Sequence, residues 1–357
     1  MVDNSNAMAR HGRIFLQGGG CYHCYSRIVE KAYRFRNDRE KRYFLTTMRK
    51  LEAFLGVRVL TFCIMSNHFH LLVEVPTPDA VERLTLESLR AKLATLYSGR
   101  ALALARDEID RVLASGSQPW KAELLSRYQA RMGNLSVFLK ELKQRFTQWY
   151  NGANDRVGTL WERRFGSVAV EADERALMTM AAYIDLNPVR AGIVQDPADY
   201  IWCGYGEAMA GREIARKNLG FMYQRTKAWQ SRGGDWRRVG PVYRSHLFGL
   251  GERREADEHT GRGGRTGIDP AVVQRVVAKE GGEVPLHILL RCRVRYFCSG
   301  ALFGSRDFVE QVFREQRERF GPRRTSGARK MRGAAWGGLA VLRDLRKDVF
   351  GRETDSE

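Results

Sequence analysis

Two short segments carry side chains that can share a reaction. In Asn67-His68-Phe69-His70, two histidines stand two positions apart at the head of the β-rich run LLVEV. On a strand such residues project to one face, so His68 and His70 point together while Phe69 enters the core. Imidazoles paired in this way can hold one divalent metal ion. The competing assignment is a pair of strand histidines facing solvent. In Tyr183-Ile184-Asp185-Leu186-Asn187-Pro188, Tyr183 and Asn187 are four apart, one helical turn from each other. A phenol is an oxygen nucleophile, and a carboxamide oxygen is a metal ligand. The alternative makes Tyr183 a core aromatic and Asn187 a C-terminal cap ahead of Pro188.

These residues need a strand under the histidines and a helix under the tyrosine. GCYHCYSRI, from Gly20 to Ile28, alternates as a half-buried strand behind a Gly-rich turn. DREKRYFLTTMRKLEAFLG carries Phe44, Leu45, Met48, Leu51 and Leu55 at helical spacing, with Gly56 as its stop. VRVLTFCIM and HFHLLVEV read as two strands parted by Ser66 and Asn67. LSVFLKELKQRFTQWYN sets Leu135, Phe138, Leu142, Phe146 and Trp149 on one helical face. SVAVEA is β-like, and DERALMTMAAYIDL predicts a helix from Asp173 to just before Pro188.

The order β-α-β-β-α-β, with one further helix, predicts an α+β fold. Its core would be a ferredoxin-like split βαβ unit, an antiparallel sheet with helices on one face. Residues 77–133, rich in Ala, Leu, Arg and Glu, predict a helical insertion. From residue 216 to 268 the Gly- and Arg-rich composition predicts a linker. HILLRCRVRYF, SGALFGS and RDFVEQVFREQRERF have the cadence of a helix-turn-helix. Residues 269–335 are therefore expected to form a helical DNA-binding domain, with 336–357 as a tail.

Sixty Lys and Arg against 41 Asp and Glu leave a formal charge of +19, which favours a polyanionic partner. Arginines recur beside aromatics in RRFG, RVRYF and QRFTQWY, which points to nucleic acid rather than a membrane surface. No run approaches the ~20 apolar residues that a membrane span requires. MVDNSNAMARHGRIFL lacks the pattern of a cleaved secretory leader, and a cytoplasmic, nucleoid-associated location is expected. Six cysteines in 357 residues suit reduced thiols better than a disulfide framework. Cys21 and Cys24 form a CxxC, but a strand turns them to opposite faces, and both read as structural. Lys140, Lys143, Arg145, Arg163 and Arg164 are the candidate contacts to a nucleic-acid backbone; a solvated helix face is the alternative for the first three. Tyr150, Trp161 and Phe165 read as packing or base-stacking aromatics. His11, His23, His246, His259 and His287 read as structural or solvated.

NHFHLL followed downstream by YIDLNPVRAG resembles the single-tyrosine HUH transposases, in particular the REP-associated tyrosine transposases. YHCYSR and GTLWERRF also resemble segments of that family, and the likeness spans about residues 11–210, interrupted by 77–133. ALFGSRDFVEQVF resembles an extension of some longer relatives. The resemblance implies a HUH catalytic domain over 11–215, with His68 and His70 as metal ligands and Asn187 completing the set. It implies Tyr183 as the nucleophile that takes a 5′-phosphate and frees a 3′-hydroxyl. The expected ion is Mg²⁺ or Mn²⁺; two nitrogens and one amide oxygen suit Mn²⁺ better, and Zn²⁺ also fits the nitrogens. The implied partner is single-stranded or hairpin DNA, cut and rejoined by a monomer or homodimer. The second class carried forward is a non-catalytic nucleic-acid-binding regulator on the same fold.

Overall fold

Three consecutive glycines with positive φ, Gly18 to Gly20, turn the chain into its first strand. At Gly19 a Cβ would stand 2.6 Å from the Pro76 carbonyl oxygen, so that position admits no side chain. The structure is a computed structural model and describes residues 13–224, 235–248, 285–291, 294, 296–320 and 322–342. β1 (Gly20–Arg27) leads to α1 (Asp38–Leu55), which opens on a reciprocal cap. The Asn37 side chain accepts from the Arg39 and Glu40 amides, and Glu40 accepts from the Asn37 amide at 2.7 Å. Gly56, with φ of 70°, ends the helix. β2 (Arg58–Ile64) and β3 (His68–Val75) form a tight hairpin, closed where the Met65 amide donates to the His68 carbonyl at 2.9 Å.

α2 (Leu86–Leu96), α3 (Gly99–Ser115) and α4 (Gln118–Gln129) occupy the stretch before α5 (Leu135–Ala153). β4 (Gly166–Val170), α6 (Glu174–Asp185) and the single turn α7 (Asn187–Arg190) follow. Pro188 opens α7, where its missing N–H costs nothing. Next come α8 (Gly204–Met209), α9 (Glu213–Gln224), α10 (Trp236–Phe248), α11 (Leu286–Leu289) and α12 (Tyr296–Ser299). β5 (Leu302–Ser305), α13 (Arg306–Glu315), β6 (Arg329–Lys330) and β7 (Leu339–Val341) complete the described elements.

Among the described residues seven strands form one mixed sheet in the order β2-β3-β1-β4-β5-β7-β6, an α+β architecture. β1 lies antiparallel between β3 and β4, β2 is antiparallel to β3, and β5 runs parallel to β4. Alternation along β3 divides the interior in two. Phe69 faces α1 and α5, with the rings of Phe44 and Trp161 at 4.9 and 5.4 Å. Phe35 and Phe146 stack behind it at 4.6 Å. His68 and His70 face the opposite side, where α6 lies across the sheet and its Asp185 accepts from Thr61 of β2 at 2.9 Å.

Three expectations are corrected. Helices cover both faces of the sheet rather than one. Successive β3 residues Phe69, His70, Leu71 and Leu72 are all buried, and a strand buried on both sides needs a layer on each. The described part of 269–335 is not all helical, because Leu302 and Phe303 of β5 pair with Ala169 and Val170 of β4. Four residues are too few to display a strand period, so LFGS reads as a turn between helices. Nor is 216–268 only a linker. Leu219, Met222 and Tyr223 are buried on α9, and Val239, Tyr243 and Leu247 on α10, apolar spacing that the surrounding Gly and Arg conceal. Residues 225–234, 249–284 and 343–357 lie outside the described residues, and with them the rest of the expected linker, the start of the expected DNA-binding domain and the end of the tail. No helix among the described residues is long and apolar enough to cross a membrane.

Phe69 is wholly buried between aromatic neighbours. Phe69→Ala is expected to lower the unfolding free energy by about 3–5 kcal/mol. Chemical denaturation checks this as a lower midpoint at an unchanged slope.

Candidate active site

The pairing of β1 with β3 sets Tyr25 opposite His70 and Arg27 opposite His68. Residues paired this way share a face, and so does His23, two positions before Tyr25. His23 is fully buried. Its Nε2 lies 2.8 Å from His70 Nδ1, and its Nδ1 lies 2.9 Å from the Phe297 carbonyl oxygen. A carbonyl oxygen only accepts, so His23 Nδ1 carries a proton. Burial, partly opposed by the Phe297 hydrogen bond, lowers the His23 pKa to about 4. Burial, with the neighbouring His23 and His68, holds His70 well below the usual histidine range. Both rings are therefore neutral near pH 7. His23 Nε2 is then an acceptor, His70 Nδ1 donates to it, and the lone pair of His70 sits on Nε2. At His68, Nδ1 lies 2.6 Å from Asn67 Oδ1, another acceptor, so Nδ1 carries a proton.

The His68 and His70 rings are nearly perpendicular, with centroids 5.1 Å apart. Two imidazoles binding one ion through nitrogen at ~2.1 Å place their centroids about 5 Å apart, so the pair suits a shared ion. Among the described residues no three His, Cys, Asp or Glu side chains form a metal cluster.

Tyr183 on α6 lies over this group. Its ring centroid is 6.0 Å from His23 and 6.1 Å from His70. On its other side it packs on Phe297 at 4.4 Å, and its hydroxyl is 3.4 Å from Cys298 Sγ. The Arg190 guanidinium sits 4.1 Å from the ring and donates to the carbonyls of Tyr183 and Leu290 at 2.5 and 2.6 Å. These contacts leave Tyr183 only 4% exposed. Tyr25 donates its hydroxyl to the Cys298 carbonyl oxygen, and Gly166 makes room for that ring, because a Cβ there would run into it. Asn187 turns Nδ2 back to the Ile184 carbonyl at 3.0 Å and the Tyr183 carbonyl at 3.4 Å, which caps α6. The oxygen is the branch of its amide directed away from those carbonyls.

The structure thus brings His68, His70 and Tyr183 together, with Asn187 one turn beyond. It adds His23, which local spacing had assigned to structure or solvent. The signal was in YHCYSR, where His23 and Tyr25 share a strand face, but it becomes readable only with the β1–β3 register. The five basic residues divide. Lys140, Arg163 and Arg164 are exposed. The Lys143 ammonium donates to the Arg163 carbonyl at 2.7 Å beside the Trp161 ring, and burial lowers its pKa to about 8. Arg145 pairs with Glu141 at 3.6 Å. Trp161, Phe165 and Tyr150 are buried in the core. Cys21 and Cys24 are both buried.

The chain is similar over 56% of its length to a solved structure of a REP-associated tyrosine transposase bound to a REP hairpin, covering 85% of that chain at 13% identity and a TM-score of 0.35. A likeness at that level fixes neither the fold nor the chemistry of this chain. No family model and no curated protein matches the sequence.

The helix that carries Tyr183 is anchored by Asp185, which is buried and accepts from Thr61, the Tyr205 amide and the Tyr243 hydroxyl, the last at 2.6 Å. Burial raises its pKa from 3.8 to about 6, against the lowering pull of these donors. The folded chain keeps this proton where the unfolded chain has released it. The contribution therefore stabilises the fold fully below about pH 4 and is lost as the pH rises through about 6. Relative to Asp185→Asn, the wild type is expected to lose stability on the order of 3 kcal/mol across that window. Denaturation curves of both proteins at several pH values check the difference.

Proposed function

We propose that this chain is a metal-dependent single-strand DNA endonuclease and strand transferase of the HUH type, with Tyr183 as nucleophile. One observation carries the reading: two imidazoles and a tyrosine from a distant helix meet on one sheet face, with ring centroids 5.1 and 6.1 Å apart. The strand order β2-β3-β1-β4, antiparallel throughout with α1 and α5 as crossovers, supports a ferredoxin-like catalytic unit.

In this reading His68 and His70 hold the ion through Nε2, and the Asn187 amide oxygen completes the set. A bound Mn²⁺ or Mg²⁺ supplies Lewis-acid polarisation of the scissile phosphate. The Tyr183 oxygen forms a bond to phosphorus as the bond from phosphorus to the 3′-oxygen breaks. The phenol gives up its proton and the departing oxygen gains one, leaving a 3′-hydroxyl and a 5′-phosphotyrosine. One phosphodiester replaces another, so a second 3′-hydroxyl can reverse the step and join strands without ATP. Lys140, Arg163 and Arg164 offer exposed charge to the backbone of single-stranded or hairpin DNA. A phosphodiester reaches Tyr183 only when α12 gives way. The burial of the phenol under Phe297 is the observation that favours the second reading, a DNA-binding regulator without turnover.

Labelled single-stranded hairpin DNA incubated with Mn²⁺ is expected to give a denaturation-resistant protein–DNA adduct. Tyr183→Phe and chelation of the metal should each abolish it, and His68→Ala should abolish it while DNA binding largely persists. No adduct from the wild type would leave the regulator standing instead.

A further inference from the structure

We infer that His23 is a positioning residue that holds His70 in its Nδ1–H tautomer and so presents the His70 Nε2 lone pair to the face where Tyr183 lies. The relay runs through three groups from distant parts of the chain. The Phe297 carbonyl oxygen accepts from His23 Nδ1 at 2.9 Å, and His23 Nε2 accepts from His70 Nδ1 at 2.8 Å. Direction is set at the carbonyl end, because an amide oxygen has no proton to give. A charged ring with no exposed surface is costly to bury, so His23 is neutral and the other groups then have one consistent assignment.

Burial enforces that assignment. His23 has no exposed surface and His70 has 5%, so water does not compete for their inner nitrogens. The two rings stack with centroids 5.0 Å apart and planes 19° from parallel, which also restricts rotation of His70. The nitrogen that bears the proton in an imidazole is decided by the hydrogen bond made at the other nitrogen. An imidazole without such a partner favours the proton on Nε2, and that form has no lone pair to direct into the site. His23 and Tyr25, on one face of β1, donate to the consecutive carbonyls of Phe297 and Cys298. The C-terminal segment thereby fixes the orientation of a histidine on β3. The purpose of this relay, delivery of a ligand nitrogen to a metal ion, rests on the proposed function. The tautomer itself does not.

The test uses the full chain with ring nitrogen-15-labelled histidine, its His70 signals identified by comparison with His70→Gln. Long-range proton–nitrogen spectra at neutral pH should show His70 protonated at Nδ1 and bare at Nε2. His23→Phe should move the proton toward Nε2. His23→Gln should retain the wild-type tautomer, since its amide oxygen accepts from His70 and its NH₂ donates to the Phe297 carbonyl. A wild-type His70 protonated at Nε2, or a tautomer unchanged by His23→Phe, overturns the inference. If His23→Phe fails to fold, the wild type and His23→Gln still decide it. Mn²⁺ titration followed by electron paramagnetic resonance adds a separate readout, with His23→Phe binding about 10–100-fold more weakly and His23→Gln close to wild type. A wild type that binds no Mn²⁺ defeats the proposed function, and the tautomer spectra then decide the inference alone.

Discussion

The Asp185 carboxylate is taken out of water and returned three donors, from Thr61 of β2, from the head of α8 and from Tyr243 of α10. An ionised carboxyl in an apolar interior is tolerable only with such compensation, and removal of any one donor leaves charge exposed to a low dielectric. This arrangement dictates where α6 lies, since a helix held by its last residue to the edge strand β2 and to two neighbouring helices has little freedom to slide. Tyr183, two positions earlier, therefore stands over β1 and β3, and the geometry of the site follows from the anchoring of its helix.

Closure comes from the other end of the chain. Residues of α12 meet His23, Tyr25 and Tyr183 from above, and Arg190 ties the turn after α6 to Leu290. Polar groups on that sheet face would be costly to bury without partners, and backbone carbonyls at the start of β5's approach provide them. The parallel pairing of β5 with β4 brings those carbonyls into place. A C-terminal segment that could have been an appended module is instead built into the sheet that bears the histidines.

Much of the scaffold was legible because its elements are long and regular. The helical spacing in α1, α5 and α6 and the alternation in β1 and β3 appear in the sequence at nearly their structural boundaries. Where reading failed, the signals were short or diluted. β5 has four residues, α9 and α10 are embedded in Gly- and Arg-rich sequence, and only the structure shows α6 covering the second face of the sheet. The basic side chains of α5 looked equivalent in sequence. Lys143 differs from Lys140 because a neighbouring loop returns the Arg163 carbonyl to its ammonium.

By itself the sequence determined which side chains share a face: His68 with His70 through the two-residue period of a strand, and Tyr183 with Asn187 through the turn of a helix. Those relations are local, and local geometry repeats wherever the element forms. Tertiary structure decided the rest. His23 meets His70 from 47 residues away, and Phe297 meets His23 from 274 residues away. No periodicity records hydrogen bonds of that span. They exist because strand register and the docking of α12 place His23 within 3 Å of a carbonyl on one side and of the His70 ring on the other, in an interior too dry for water to take their place.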